Sequence, residues 1–318
     1  MDRGASGGDG FSFGDLLKKV TLDSIGTVKA GEKASANAII GNDDNGESAD
    51  ANTGDRSMVK LGYEQAPSLS YWWLDGHLDF SDTQTPRVRE ALEYLHRWHR
   101  QHELPAYTAL LARMATLSEG STDSAQTCQI TRDAQQRLDM LMHETIHNAA
   151  PMAVQLSAPQ IRHLSTHLEE KNAKWEEDWL QGSLAVRQQR RLDKLVDRYA
   201  DFYGSLTAAQ VGLLRRQLEH SVWSPEWARQ ERLRQQRDLL DVLLRIEQEH
   251  PPSRQTEAAL LGVWERWTHP PAEADRQRWQ TWIDQGCRNL AELHNSTSAE
   301  QRRRAARRLR AYEKDRSE

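Results

Sequence analysis

From residue 85 onward the apolar positions recur with a helical period. Val88, Ala91, Leu92, Leu95 and Trp98 follow i, i+3, i+4, i+7 spacing, the stripe of an amphipathic helix. Pro86 stands at the first-turn position that proline favours. The pattern predicts a second helix over 104–117, beyond Pro105, and a further one over 130–149 with Leu138, Leu141, Met142 and Ile146 on one face. Three helix starts share a device: Ser157 with Gln160, Thr207 with Gln210, and Ser298 with Gln301 have the spacing of capping boxes, in which hydroxyl and amide satisfy first-turn N–H groups reciprocally. Gly182, Gly204 and the pairs Ser224-Pro225, Pro251-Pro252 and Pro270-Pro271 read as stops. No segment alternates with period two, and the unequal box spacing excludes a regular solenoid. The expectation is an all-α fold, an irregular multi-helix bundle of about eight to ten helices.

Before residue 58 the pattern disappears. Residues 1–57 hold 10 of the 18 glycines and no tryptophan or proline, and the stretch 41–57 is linker chemistry without an apolar face. One weak helix over 13–40 is the most this segment offers. The division is therefore a flexible, disordered segment over 1–57 and a helical domain over 58–318.

Composition sharpens this picture. Hydrophobic residues are 37 % and charged residues 28 % of the chain, an economy that suits helices needing one apolar stripe each. The net charge of −5 resides mainly in the first 57 residues, with 10 acids against 6 bases. The near-neutral remainder argues against a specific nucleic-acid partner. No stretch reaches the roughly 18 apolar residues of a membrane span, and the polar start lacks the apolar core of a signal peptide. The two cysteines, Cys128 and Cys287, are either free buried thiols or a disulfide closing a very long loop, worth ~4 kcal/mol.

Candidate chemistry comes from five places. Tyr71, Trp72, Trp73 and Asp75 form the densest aromatic patch, suited to a sugar or peptide partner or to anchoring a helix junction. His143-Glu144-Thr145-Ile146-His147 matches H-E-x-x-H; on a helix His143 and His147 share a face and could bind zinc, with Glu144 activating a water. A catalytic site needs a third ligand, and no further diagnostic pattern follows. His96, His99 and His102 around Trp98 read as a solvated polar face beside a core tryptophan. The pair Trp175 and Trp179, and the run Trp264, Trp267, Trp279 and Trp282, read as core stripes. Six arginines between Gln301 and Arg310 read as a solvated helical face.

From about Val59 to the end the chain resembles a family of uncharacterised proteobacterial lipoproteins. The resemblance rests on Lys60-Leu61-Gly62-Tyr63, Ala66-Pro67, Tyr71-Trp72-Trp73-Leu74-Asp75, Trp98-His99-Arg100, Glu103-Leu104-Pro105, Tyr107, Leu156-Ser157-Ala158-Pro159-Gln160-Ile161, Asn172, Trp175 and Leu293-His294-Asn295-Ser296-Thr297. It implies an all-helical periplasmic domain held to the membrane by a lipidated cysteine, no assigned reaction, and a Cys128–Cys287 disulfide. Where the lipidated cysteine would stand, the sequence reads Asp55-Arg56-Ser57-Met58, so the expectation is that the lipid anchor is absent from this chain. Residues 13–42, from Phe13-Gly14-Asp15-Leu16-Leu17 through Val20-Thr21-Leu22-Asp23-Ser24-Ile25-Gly26, are similar to part of the flagellar hook–basal-body rod adaptor protein. Together the two halves suggest a chimeric joining.

The leading expectation is a non-enzymatic helical binding or scaffold protein of the cell envelope, acting without a cofactor through Tyr71, Trp72, Trp73 and Asp75 on an envelope or protein partner. The alternatives are a zinc-dependent hydrolase using His143, Glu144 and His147, and a flagellar-rod-associated protein.

Overall fold

The computed structural model describes residues 63–314, and these form ten helices and no strand. They are α1 (Ala66–Leu78), α2 (Thr85–Leu117), α3 (Ser124–Ala153), α4 (Ala158–Leu180), α5 (Leu184–Tyr203), α6 (Ala208–Glu219), α7 (Pro225–Glu249), α8 (Ser253–Thr268), α9 (Glu273–Asn295) and α10 (Ala299–Lys314). The expected disordered segment, its weak helix and the flagellar-like stretch lie outside the described residues. Among the described residues no helix is long and apolar enough to cross a membrane.

The spine is an antiparallel hairpin of α2 and α3. At 33 and 30 residues they run roughly 50 and 45 Å at 1.5 Å per residue. Tyr107, Leu110, Leu111 and Met114 of α2 meet Ile130 and Ala134 of α3, and Leu309 of α10 closes the same core. The other end of α3 places Ile146, Ala150 and Ala153 in a second core with Ile161 of α4, Ile246 of α7 and Val263 of α8. A third core is aromatic: Trp175 and Trp179 from α4, Trp223, Trp227 from α7 and Trp282 from α9. The fourth joins Leu192 of α5, Leu214 of α6 and Leu293 of α9. Of the six tryptophans expected to form core stripes, Trp175, Trp179 and Trp282 are buried, Trp264 and Trp279 pack against core edges, and Trp267 stays 38 % exposed.

Two sequence expectations change. Pro105 does not divide α2, which runs unbroken from Thr85 to Leu117 with the proline inside. The ring and Gln101, whose carbonyl loses its helical donor, are both exposed, so the proline stands on the solvent side of the helix, where the freed carbonyl is open to water. The other correction concerns the histidine cluster. His99 is 7 % exposed and Glu103, one turn on, is 0 % exposed, whereas Trp98 is only half-buried. The buried stripe of α2 therefore includes two polar residues that apolar periodicity skips.

Capping boxes do more than end helices. Ser157 and Gln160 cap α4, and Thr207 and Gln210 cap α6. Ser298 and Gln301 exchange the same bonds before α10, and so do Ser81 and Gln84 before α2. These four glutamines then pair. Gln160 Nε2 donates to Gln84 Oε1 at 2.8 Å and to Asp79 O, while Gln84 Nε2 donates to Gln160 Oε1 and Gln155 O. Gln210 and Gln301 repeat the arrangement: Nε2 of Gln210 reaches Gln301 Oε1 at 2.9 Å and Ser296 O, and Nε2 of Gln301 reaches Gln210 Oε1 and Ser205 O. Each clamp is locally two-fold, and each carbonyl it reaches lies two residues before the partner's box. One clamp fastens the α2 start to the α4 start. The other fastens α6 to α10 near the opposite end of the hairpin, where Asn295 of α9 exchanges two bonds with Thr122.

Cys128 of α3 and Cys287 of α9 form a disulfide across 159 residues of sequence, Cα–Cα 5.1 Å. Next to it Thr127 Oγ1 donates to Cys287 O. Replacing both cysteines by alanine should lower the unfolding free energy by about 4 kcal/mol, measured by urea denaturation. Gln210→Ala should cost about 1–2 kcal/mol in the same assay, since it removes a capping bond and one half of a clamp.

Candidate binding surface

The aromatic patch lies on α1, whose Pro67 occupies the first turn and whose end is set by Asp79 in the left-handed region, φ 49°. That cap suits an Asp, whose short polar side chain tolerates the conformation. Asp75 secures the exit: its carboxylate accepts from Phe80 N at 3.0 Å, and its backbone carbonyl accepts from Asp79 N. Tyr71 points inward, 5 % exposed, with its hydroxyl 2.9 Å from Thr85 Oγ1. The Arg89 guanidinium of α2 sits 3.8 Å over the Tyr71 ring. The four residues thus divide by role. Tyr71 fixes α1 to α2, Asp75 fixes the turn that leaves α1, and Trp72 and Trp73, both 63 % exposed, face solvent.

The two indoles are held at their flanks. Arg89 lies 5.6 Å over Trp72, a cation–π approach. Trp73 packs on His77 with ring centroids 4.1 Å apart, and His77 meets His167 of α4 edge-on at 4.2 Å. His163, one turn before His167, uses Nε2–H to donate to Gly76 O at 3.1 Å, and the His77 Nδ1–H donates to Trp73 O at 2.7 Å. The result is a strip of ring surfaces, Trp72, Trp73 and His77, edged by Arg89 on one side and His167 and Lys171 on the other. Burial is the main force lowering the His77 pKa, joined by the positive fields of His167, Lys171 and His163; His167 is lowered by burial and then by Lys171. Both are therefore neutral near pH 7, and the strip there is aromatic, with Arg89 at one edge and the opposite charges of Lys171 and Glu170 acting near the other.

The H-E-x-x-H residues fall on α3, as expected, with Ile146 buried in the second core. One ring nitrogen of each histidine, Nδ1, has another partner. His143 Nδ1–H donates to Asp139 O at 2.8 Å, and His147 Nδ1 lies 3.1 Å from Glu257 of α8. Glu144 accepts from Asn148 and from Tyr94, whose hydroxyl pKa rises chiefly through that bond. His163, His167, Glu169 and Glu170 lie on α4 and do not join them. Among the described residues no three His, Cys, Asp or Glu side chains are arranged to hold a metal ion.

Sequence reasoning missed an unusual carboxyl group among the described residues. Glu103 is wholly buried, both of its oxygens lack a hydrogen-bond partner, and Arg137 of α3 stands 3.7 Å away. Burial raises its pKa, and Arg137 and His102 only partly offset this. No local signal marks it: an acid beside Leu104 on a long helix reads as surface.

In class, the molecule is an all-helical bundle that displays a rigidly mounted aromatic strip. The chain belongs to DUF6279, a family of unknown function, whose model matches residues 76–269. That span starts one residue after Asp75 and ends at the close of α8. No curated protein and no solved structure matches the chain.

Trp72→Ala with Trp73→Ala should leave the melting temperature nearly unchanged, within the effect of about 0.5 kcal/mol usual for surface sites. Tyr71→Ala should cost about 3 kcal/mol, both read by thermal unfolding. Glu103 gives the pH test. A carboxyl group with a raised native pKa contributes stability that is complete below its unfolded pKa and is lost as pH rises through the native value. Glu103→Gln should therefore stabilise the protein more at pH 8 than at pH 4.5, as calorimetry at the two pH values would show.

Proposed function

We propose that this protein is a helical binding module of the cell envelope and that Trp72 and Trp73 form its contact surface for a partner protein. The observation that carries the reading is the exposure of two adjacent tryptophans on a helix whose other side is pinned by Tyr71 and Asp75. Large aromatics fixed in advance lose little conformational entropy on contact, and tryptophan is the residue type most enriched among binding hot spots. The partner surface that fits is apolar at its centre with carboxylates around it, because Arg89 and Lys171 border the strip. The Cys128–Cys287 disulfide supports an oxidising compartment such as the periplasm, and the likeness to lipoproteins supports a place at a membrane.

Photo-crosslinking tests this reading. Benzoylphenylalanine in place of Trp73 in the full chain should give a discrete adduct in native envelopes, while the same probe at Ala209, exposed on α6, should not. Equal labelling from both positions, or none from position 73, rejects the proposed surface. Metal analysis separates the hydrolase alternative: one equivalent of zinc in purified protein, lost on His143→Ala, would replace the binding reading.

A further inference from the structure

Two histidines from different helices touch beside the tryptophan strip. His77 stands in the last turn of α1 and His167 in the middle of α4. Their rings meet edge-on with centroids 4.2 Å apart, and the His77 ring also packs on Trp73 at 4.1 Å. The contact with Trp73 O fixes how His77 carries its proton. A carbonyl only accepts, so the N–H is on Nδ1 and Nε2 is left as the base. Leu78 and Phe80, just beyond, pack on the second core and hold this turn in place, so a proton taken up here changes charge rather than position. Whichever ring of the pair takes it, the new cation lies at the edge of the strip.

The charges around the pair come from three helices. On α4, Lys171 and His163 act on both rings as positive groups, and Glu170 favours the charged form of His167. α2 supplies Arg89 over Trp72. On α1 itself the Asp75 carboxylate accepts from Phe80 N, and Asp79 is exposed at the helix end. Burial first, and these positive neighbours next, keep both rings neutral near pH 7. Protons therefore arrive only in mild acid, below the ordinary imidazole value of about 6.5. Two like charges at this separation repel, so the pair accepts its first proton more readily than its second.

We propose that the His77–His167 pair makes the Trp72–Trp73 surface acid-responsive: in mild acid it adds a positive charge beside Trp73 and strengthens contact with a partner surface bordered by carboxylates. This rests on the reading of Trp72 and Trp73 as the contact surface. By linkage, a partner that favours the protonated pair holds the proton on it by the same factor.

Two measurements on the full chain test the proposal. In proton–carbon NMR titration, with ring signals assigned from His77→Gln and His167→Gln, removing His167 should move the His77 midpoint upward. A His77 midpoint that ignores His167 overturns the coupling. The second measurement is photo-crosslinking in native envelopes with benzoylphenylalanine at position 72, which leaves Trp73 and the pair intact. Adduct yield should be about fivefold higher at pH 5.5 than at pH 7.5. The double variant His77→Gln with His167→Gln, its fold checked by circular dichroism, should abolish the difference. His77→Lys, charged at both pH values, should raise the yield at pH 7.5 and flatten the response, which keeps the test decisive if the double variant does not fold. No adduct at either pH rejects the contact surface, and the acid response with it. Equal yields at the two pH values in the parent, or a difference that survives in the folded double variant or in His77→Lys, overturn the acid response alone.

Discussion

Helix starts expose first-turn N–H groups that need acceptors, and this bundle turns that need into its long-range fastening. At each of four starts a glutamine accepts its own cap's N–H and sends its amide to the glutamine of another start. The two resulting clamps, Gln84 with Gln160 and Gln210 with Gln301, grip opposite ends of the α2–α3 hairpin. Gln160 and Gln210 are buried, so each clamp also keeps water from a junction of backbone carbonyls. An amide left without its pair would be a buried polar group without a partner, which costs about 1–3 kcal/mol. That asymmetry makes the clamps specify which starts meet. The disulfide adds a covalent tie between α3 and α9 close to the second clamp.

This fastening explains how a chain with modest apolar content supports the ten helices of its described residues. No single core joins them all. Four smaller cores are distributed along the hairpin, and each helix serves one or two of them with a narrow stripe. The tryptophan core between α4, α7 and α9 supplies large buried area from few residues, and its edges are covered by cations, Lys194 over Trp179 at 3.8 Å and Arg191 over Trp223 at 4.4 Å. Arginine-rich helices thus pack their stems and faces on aromatics and keep their charge near water. α10 follows the same rule: Ala305, Ala306 and Leu309 are buried, and the expected arginine face includes Arg310, which pairs with Glu119.

Two features of the bundle are of opposite kinds. The strip on α1 is convex and aromatic, mounted on a helix that buried contacts hold in place. A chamber between α2, α3, α5, α9 and α10 is concave and lined mainly by apolar side chains, with Tyr203 and His294 bonded to each other at its edge. Glu103 belongs to neither. It is a buried carboxyl group facing Arg137 at a distance too long for a hydrogen bond, and so is a source of pH-dependent stability.

Much of this was present in the sequence. Helical period, turn residues and capping boxes act within about four residues, so helix identity, most boundaries and three of the four clamp halves could be read locally. The exposed tryptophans were also marked in advance as a group, though not which of Tyr71, Trp72, Trp73 and Asp75 would face outward, because that depends on where α2 and α4 pack. The tertiary structure alone decided the pairings. Gln84 finds Gln160 across 76 residues and Gln210 finds Gln301 across 91, and no local pattern encodes a partner at that range. It likewise put His99 and Glu103 in the core, gathered the cavity from five helices, and brought Cys128 to Cys287. Local sequence fixes what each helix is; which faces become interior depends on packing that every helix settles jointly.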